Sequence, residues 1–218
     1  MDVLLDNTDI FLRGFRNTIL LFLVSAAGSL ILGTILAMLR VSPVPVLRAT
    51  GTAYVTIVRN TPLTLVFFFF VFAFPLLRII SQDDFTPFLG AVIALTLYTS
   101  AFVCEVVRSG INTVATGQVE AARALGLTFG QSLANVVLPQ ATRSVVPPLV
   151  STMIALLKNT TIAAGFSVVE AGAIRDYLSE RGESVLIGLL WVAFLFVILV
   201  IPLTLLQRAL EKRWSVAR

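Results

Sequence analysis

The sequence predicts an all-α integral membrane protein with five transmembrane helices, and three observations carry that prediction. The first is composition. Of 218 residues, 57% are hydrophobic and only 13% are charged, with 16 Phe and no His, too little polar surface to wrap a soluble core of this size. The second is patterning: apolar residues gather in five runs, about 19–39, 63–80, 88–107, 145–166 and 185–206. At about 1.5 Å per residue each reaches roughly 27 to 33 Å as a helix, close to the hydrocarbon thickness of a bilayer. Helices are required because isolated strands cannot satisfy their backbone in lipid. The third is the placement of charge between the runs, which orients the chain.

Residues 1–14 carry Asp2, Asp6 and Asp9 where a cleaved leader would carry positive charge, so they are expected to be an external segment before an uncleaved first span, 19–39. The second span, 63–80, holds six Phe between Phe67 and Phe74. They occur all round the helix and are expected to meet lipid or neighbouring helices. Glu105 and Arg108 close the third span three residues apart, hence on one face, as an ion pair at the membrane boundary would be. Pro147 and Pro148 fall in the first turns of the fourth span and Pro202 near the end of the fifth, which predicts local bending. Residues 208–218 form a short tail.

Five spans put the termini on opposite faces. With the N-terminus outside, the cytoplasmic parts hold Arg40, Arg48, Arg59, Arg108, Arg123, Arg143, Arg208, Lys212, Arg213 and Arg218, against Arg13, Arg16, Arg78, Arg175 and Arg181 outside. Ten against five favours N-out, C-in. The acids Asp83, Asp84, Glu170, Asp176, Glu180 and Glu183 then fall outside with the N-terminal ones.

Several functions are disfavoured. Cys104 is the one cysteine, which excludes an internal disulfide and makes a cysteine-based metal site an unpromising expectation. No basic cluster with interleaved aromatics suggests nucleic acid. An intramembrane enzyme needs a nucleophile or metal constellation within the spans, and with no His and an isolated Cys104 none is legible. An ion-coupled transporter tends to bury several ionisable residues between internal repeats, whereas here Lys158 alone is clearly intramembrane and no repeat is visible.

The segment between the third and fourth spans carries the most specific signal. Thr116 and Gly117 can open a helix, Glu120 is expected in its first turn, and Gly126 sits where a left-handed C-terminal cap belongs. Ala121, Ala122 and Ala124 give this two-turn helix thin flanks that a partner can approach closely. A second helical piece, 128–137, is expected to end at Leu138 and Pro139, because proline disfavours helical geometry in the residue before it. Glu120, Ala121, Ala122 and Gly126, followed by Val136, Leu138 and Pro139, resemble the "EAA loop" of the membrane subunits of ATP-binding-cassette (ABC) importers, with Val136 where that family more often has Ile.

The resemblance implies a type I importer transmembrane domain over about 15–207, with Glu120, Ala121, Ala122, Arg123, Gly126, Leu138 and Pro139 docking an ATPase. It implies as partners a pair of ATPase subunits, a second permease subunit, identical or homologous, and an external solute-binding protein. No P-loop pattern occurs in this chain, so ATP is expected to be hydrolysed by the partner and no cofactor is expected here.

Three further stretches, Arg59-Asn60-Thr61-Pro62-Leu63, Glu105-Val106-Val107-Arg108-Ser109-Gly110 and Lys158-Asn159-Thr160-Thr161, resemble the polar amino acid importers of the histidine and glutamate permease group. Read locally, Arg59, Thr61 and Pro62 also fit an interfacial charge, a helix cap and a first-turn proline. Lys158 lies thirteen residues into the fourth span, where an ammonium costs about 2.5 to 3.5 kcal/mol on insertion scales. It needs either a partner, with Glu105 the candidate, or a wet cavity. In the second case Glu105, Lys158, Asn159, Thr160 and Thr161 line the substrate pathway. The group usually has Lys-Asp-Thr-Ser here. Asn159 in place of the acid lowers the repulsion felt by an anionic solute, which points to glutamate or aspartate ahead of glutamine, arginine or histidine.

Overall fold

The computed structural model describes residues 2–77 and 85–214. Arg78, Asp83, Asp84, Arg218 and the last residues expected of the second span lie outside the described residues. Helices account for all regular structure among those described: α1 (Asp2–Asp6), α2 (Thr8–Arg40), α3 (Pro45–Asn60), α4 (Leu63–Leu76), α5 (Pro87–Ile111), α6 (Thr116–Ala124), α7 (Phe129–Phe166), α8 (Ile174–Glu180) and α9 (Val185–Trp214). Four of them, α2, α5, α7 and α9, are each long and apolar enough to cross a membrane, and α3 with α4 meets the same measure taken together as one bent pair.

Parallel α2 and α5 form the centre, their contacts advancing together from Gly28 with Thr96 to Arg40 with Glu105. Their contact is built on small residues: a Cβ at Gly28 would come within 2.8 Å of Thr96, and one at Gly33 within 2.6 Å of Val103. Without a hydrophobic drive between helices in lipid, such close backbone approach is what association rests on. Around this pair, Leu21, Phe67, Leu95, Leu156 and Phe166 form the largest cluster of buried side chains. Phe67, Phe68 and Phe72 each place a ring within 5.0 to 5.7 Å of Phe166, but only Phe67 of these is buried, while Phe68, Phe69 and Phe72 stay about half exposed.

The helices outrun the expected spans. Residues 1–14 are not a separate segment, since Val3, Ile10 and Phe11 pack with Ile174, Leu178 and Val192, and Arg181 donates to Asn7 Oδ1 at 2.8 Å. The fifth helix continues past 206 to Trp214, taking in most of the expected tail. A larger difference concerns 45–60, between the first two expected spans. It is a 16-residue helix, turned by 108° from α4. Gly51, Tyr54, Val55 and Val58 recur on one face, and that face meets α2 and α5. Thr61 is the C-cap of α3 and its hydroxyl donates back to the Ile57 carbonyl, while Pro62 is the N-cap of α4 and not its first residue.

Pro139, expected to end a helix, does not end it. Both Pro75 and Pro139 follow a π-helical turn, Phe68–Ala73 and Leu133–Val137. Widening the turn relieves the clash between a proline ring and the carbonyl four residues back. Leu138 N–H donates to the Leu133 carbonyl across such a turn. The helix therefore passes Pro139 and runs through Pro147 and Pro148 in its interior, then tightens to 3₁₀ from Thr160 to Phe166.

Candidate functional site

The sequence singles out two regions. The first is α6 and the turn after it. α6 begins at Thr116 behind Ala115, so Glu120 is its fifth residue and lies beyond the first turn, one turn later than expected. The cap at Gly126 is as expected: φ is +80°, Gly126 N–H donates to Arg123 O at 2.9 Å and Leu127 N–H to Ala122 O at 3.1 Å, the paired bonds of a Schellman motif. A Cβ at Gly126 would meet nothing within 4 Å. Glycine is needed there for its backbone conformation and not for space.

Thr128 then starts α7 with a capping box, its hydroxyl accepting from Gln131 N–H while the Gln131 side chain accepts from Thr128 N–H. This tight turn holds two large apolar side chains in the open, Leu125 at 82% and Phe129 at 73% exposure. Glu120, Ala121, Arg123, Leu138 and Pro139 are exposed around them, and Ala122 is buried. The second helical piece does not stop at 137. It is the start of the fourth span.

The second region is the face between α5 and α7. Asn159 shares a cavity of about 380 Å³ with Tyr98, Thr99, Phe102, Ser151 and Thr152. Further along the same two helices, Arg59, Glu105, Arg108, Ser109, Thr113 and Ser144 line another of about 350 Å³. The hydroxyls of Thr113 and Ser144 bond at 2.9 Å. Between the cavities stands Phe102, with the Arg59 guanidinium 5.6 Å from its ring centroid.

Glu105 pairs with Arg108 at 2.8 Å, the contact its spacing predicts, and also with Arg40 and with Arg59 at 3.7 Å. These two partners, from α2 and α3, have no local signal, because folding alone brings them together. Glu105 therefore does not pair with Lys158. Lys158 is exposed, makes no ion pair among the described residues, and with Thr161 lines a groove of about 620 Å³ against Val197, Ile201, Thr204 and Arg208 of α9. Thr160 is buried, its hydroxyl donating to the Leu157 carbonyl at 2.7 Å. The Lys-Asn-Thr-Thr residues thus spread over three environments, with Asn159 alone of the four beside Tyr98 and Phe102.

At the other end of the bundle is a residue the sequence reading left in a loop. Glu170 is fully buried. Its carboxylate accepts from Gly172 N–H at 2.7 Å and from the Thr18 hydroxyl at 3.2 Å, Thr18 Oγ1 accepts from Ala171 N–H at 3.0 Å, and Asn17 Nδ2 donates to the Val169 carbonyl at 2.6 Å. Burial among these uncharged partners pushes the Glu170 carboxyl up to about 7, against the opposing pull of its hydrogen bonds. The apolar neighbours Val168 and Ala171 are the signal in the sequence that this acid is not solvated.

A bundle of broken and unbroken spans, with an exposed glycine-closed turn between two of them, is the architecture of a transport subunit. Residues 29–216 match the family described as "Binding-protein-dependent transport system inner membrane component". The chain belongs to this family, the permease subunits of ABC importers, which do not themselves catalyse a reaction. It is 44% identical over 216 residues to the glutamate transport system permease protein GluC of Corynebacterium efficiens, covering 95% of each chain. It is 37% identical to the probable glutamine ABC transporter permease protein GlnM of Bacillus subtilis, covering 98% of this chain and 97% of that one. Its fold matches a chain from the crystal structure of an amino acid ABC transporter with histidines, with a TM-score of 0.89 at 23% identity and 97% of each chain covered.

Proposed function

We propose that this chain is the permease subunit of an importer for polar amino acids, acting most on glutamate and aspartate. It takes solute from an external binding protein and releases it into the cytoplasm by alternating access, beside a second permease subunit. The energy comes from ATPase subunits docked on Glu120, Ala121, Ala122, Arg123, Gly126, Leu138 and Pro139. In this reading the N-terminus is external, the α6 turn and the C-terminus are cytoplasmic, and the charge bias of the loops supports that orientation.

The observation that carries the docking role is the pair Leu125 and Phe129, 82% and 73% exposed on a short segment outside the spans. Side chains of this size gain most by filling a partner's groove. When ATP draws the two ATPase subunits together, the turn moves with them and α7 follows. Gly126→Val tests this, because valine disfavours the positive φ by roughly 1–2 kcal/mol. The variant is expected to insert and to bind solute-loaded binding protein while losing substrate-stimulated ATPase activity; normal stimulation would contradict the docking role.

For the solute, 44% identity to a permease named for glutamate and the neutral Asn159 between Tyr98 and Thr152 support an acidic amino acid. Asn159→Asp adds a negative charge beside the solute and is expected to cut glutamate uptake about ten-fold, the effect of roughly 1.4 kcal/mol. Undiminished uptake of labelled glutamate would count against it. The neutral amide suits glutamine as well, and competition between labelled glutamate and unlabelled glutamine separates the two.

A further inference from the structure

The three guanidinium groups around Glu105 leave a balance of two positive charges at one end of the α5–α7 face. Arg40 lies deepest, its side chain 15% exposed, and is tied to Glu105. Arg59 is half exposed and its 3.7 Å contact with the carboxylate is the longest of the three. Arg108 lies between, bonding Glu105 through Nη2, while its buried Nε has no hydrogen-bond partner among the described residues. A buried N–H of a cation left unmatched is expensive, and three cations sharing one anion repel one another. The arrangement has room for a second carboxylate. Guanidinium groups bind carboxylates through parallel N–H donors, and the hydroxyls of Ser109, Thr113 and Ser144 line the same cavity.

We propose that Arg59 and Arg108 form an anion-binding subsite, the last station for a solute carboxylate travelling along the α5–α7 face from Asn159. The inference rests on the reading of the chain as an amino acid importer. Phe102 lines the Asn159 cavity and carries over its ring the Arg59 guanidinium that lines the other, so this cation is positioned without being fully neutralised. Asn159 and Ser144 are fifteen residues apart on one helix, about 22 Å along its axis, which makes the subsite a second place and not an extension of the first. A carboxylate arriving there meets Arg59 and Arg108, and Glu105 prevents binding so tight that release fails.

The test measures local charge directly. In the assembled, detergent-solubilised transporter carrying Ser144→Cys, labelling rates are compared for an anionic sulfonatoethyl and a cationic trimethylammonioethyl methanethiosulfonate, each divided by its rate with free 2-mercaptoethanol. Cys104 is fully buried, and labelling of the unsubstituted chain gives its background. The anionic reagent is expected to be favoured about ten-fold, a modest case of electrostatic focusing. Arg59→Gln with Arg108→Gln is expected to bring the ratio near one. If the double variant does not assemble, Arg59→Gln alone is expected to lower the ratio about three-fold.

A ratio near one in the parent, or one unmoved by Arg59→Gln, overturns the subsite. Uptake of labelled glutamate by the unsubstituted transporter reports separately on the solute. Uptake with an unbiased ratio removes the subsite and keeps the importer reading; a biased ratio without uptake of any amino acid does the reverse.

Discussion

Glu105 and Glu170 are both drawn into the bundle, at opposite ends, and their surroundings are opposites. Glu105 sits among three guanidinium groups contributed by α2, α3 and α5. Glu170 is more deeply buried and its partners are a hydroxyl and backbone N–H groups. The first is an anion that holds cations together. The second is an acid held by neutral donors, the Thr18 hydroxyl and the Gly172 N–H, with no cation among these partners to stabilise its charge. The lesson is that burial alone does not decide a carboxylate's role; the charge of its partners does.

If that contrast is right, removing each acid has different consequences. Glu105→Ala leaves three cations without their shared anion, and a loss on the order of 4 kcal/mol is expected, read as a large fall in the thermal midpoint of the purified subunit. A loss as small as that of a surface pair would erase the distinction.

The next effect is one of pH. The folded-state value for Glu170 is about 7 against an ordinary 4.5, so the folded chain holds this proton more tightly than the unfolded one. Stability is then greatest below about pH 4.5, falls as pH rises through 7, and levels off above. The difference across the window is about 3 kcal/mol. Glu170→Gln is expected to abolish the slope, and a parallel pH dependence in the variant would assign it to other groups. At pH 5 the same variant is expected to lie within about 1 kcal/mol of the parent, because an amide reproduces the protonated hydrogen bonds. The smallest effect belongs to Arg175→Ala, which breaks an exposed pair with Asp176 at 3.1 Å and is expected to change stability by less than about 0.5 kcal/mol.

What could be read from the sequence follows from how local its physical cause is. The long spans were legible because composition alone drives them into lipid. The cap at Gly126 was legible because it depends on a handful of consecutive residues. α3 fell outside the expected spans, as Arg48, Thr50, Thr52 and Thr56 lower its average hydropathy, yet the 3.6-residue recurrence of Gly51, Tyr54, Val55 and Val58 is present in the sequence. The continuation through Pro139 was hidden, because a π turn has no composition of its own. Arg40 and Arg59 could not be assigned to Glu105 from sequence separations of 65 and 46 residues. The expected grouping of Lys158, Asn159, Thr160 and Thr161 failed for a simpler reason: consecutive helical residues point about 100° apart, so neighbours in sequence face different helices.

The passage of α7 through Pro139 has a mechanical consequence. From Phe129 to Asn159 there are thirty-one residues without a non-helical break, about 45 Å along the axis, with the exposed aromatic at one tip and the Asn159 amide far inside. A pivot of a few degrees at the tip swings Asn159 by ångströms, less whatever bending the π turn at 133–137 and the interior Pro147 and Pro148 absorb. The joint between α6 and α7, closed by a single left-handed residue, is a further point of compliance at the exposed tip.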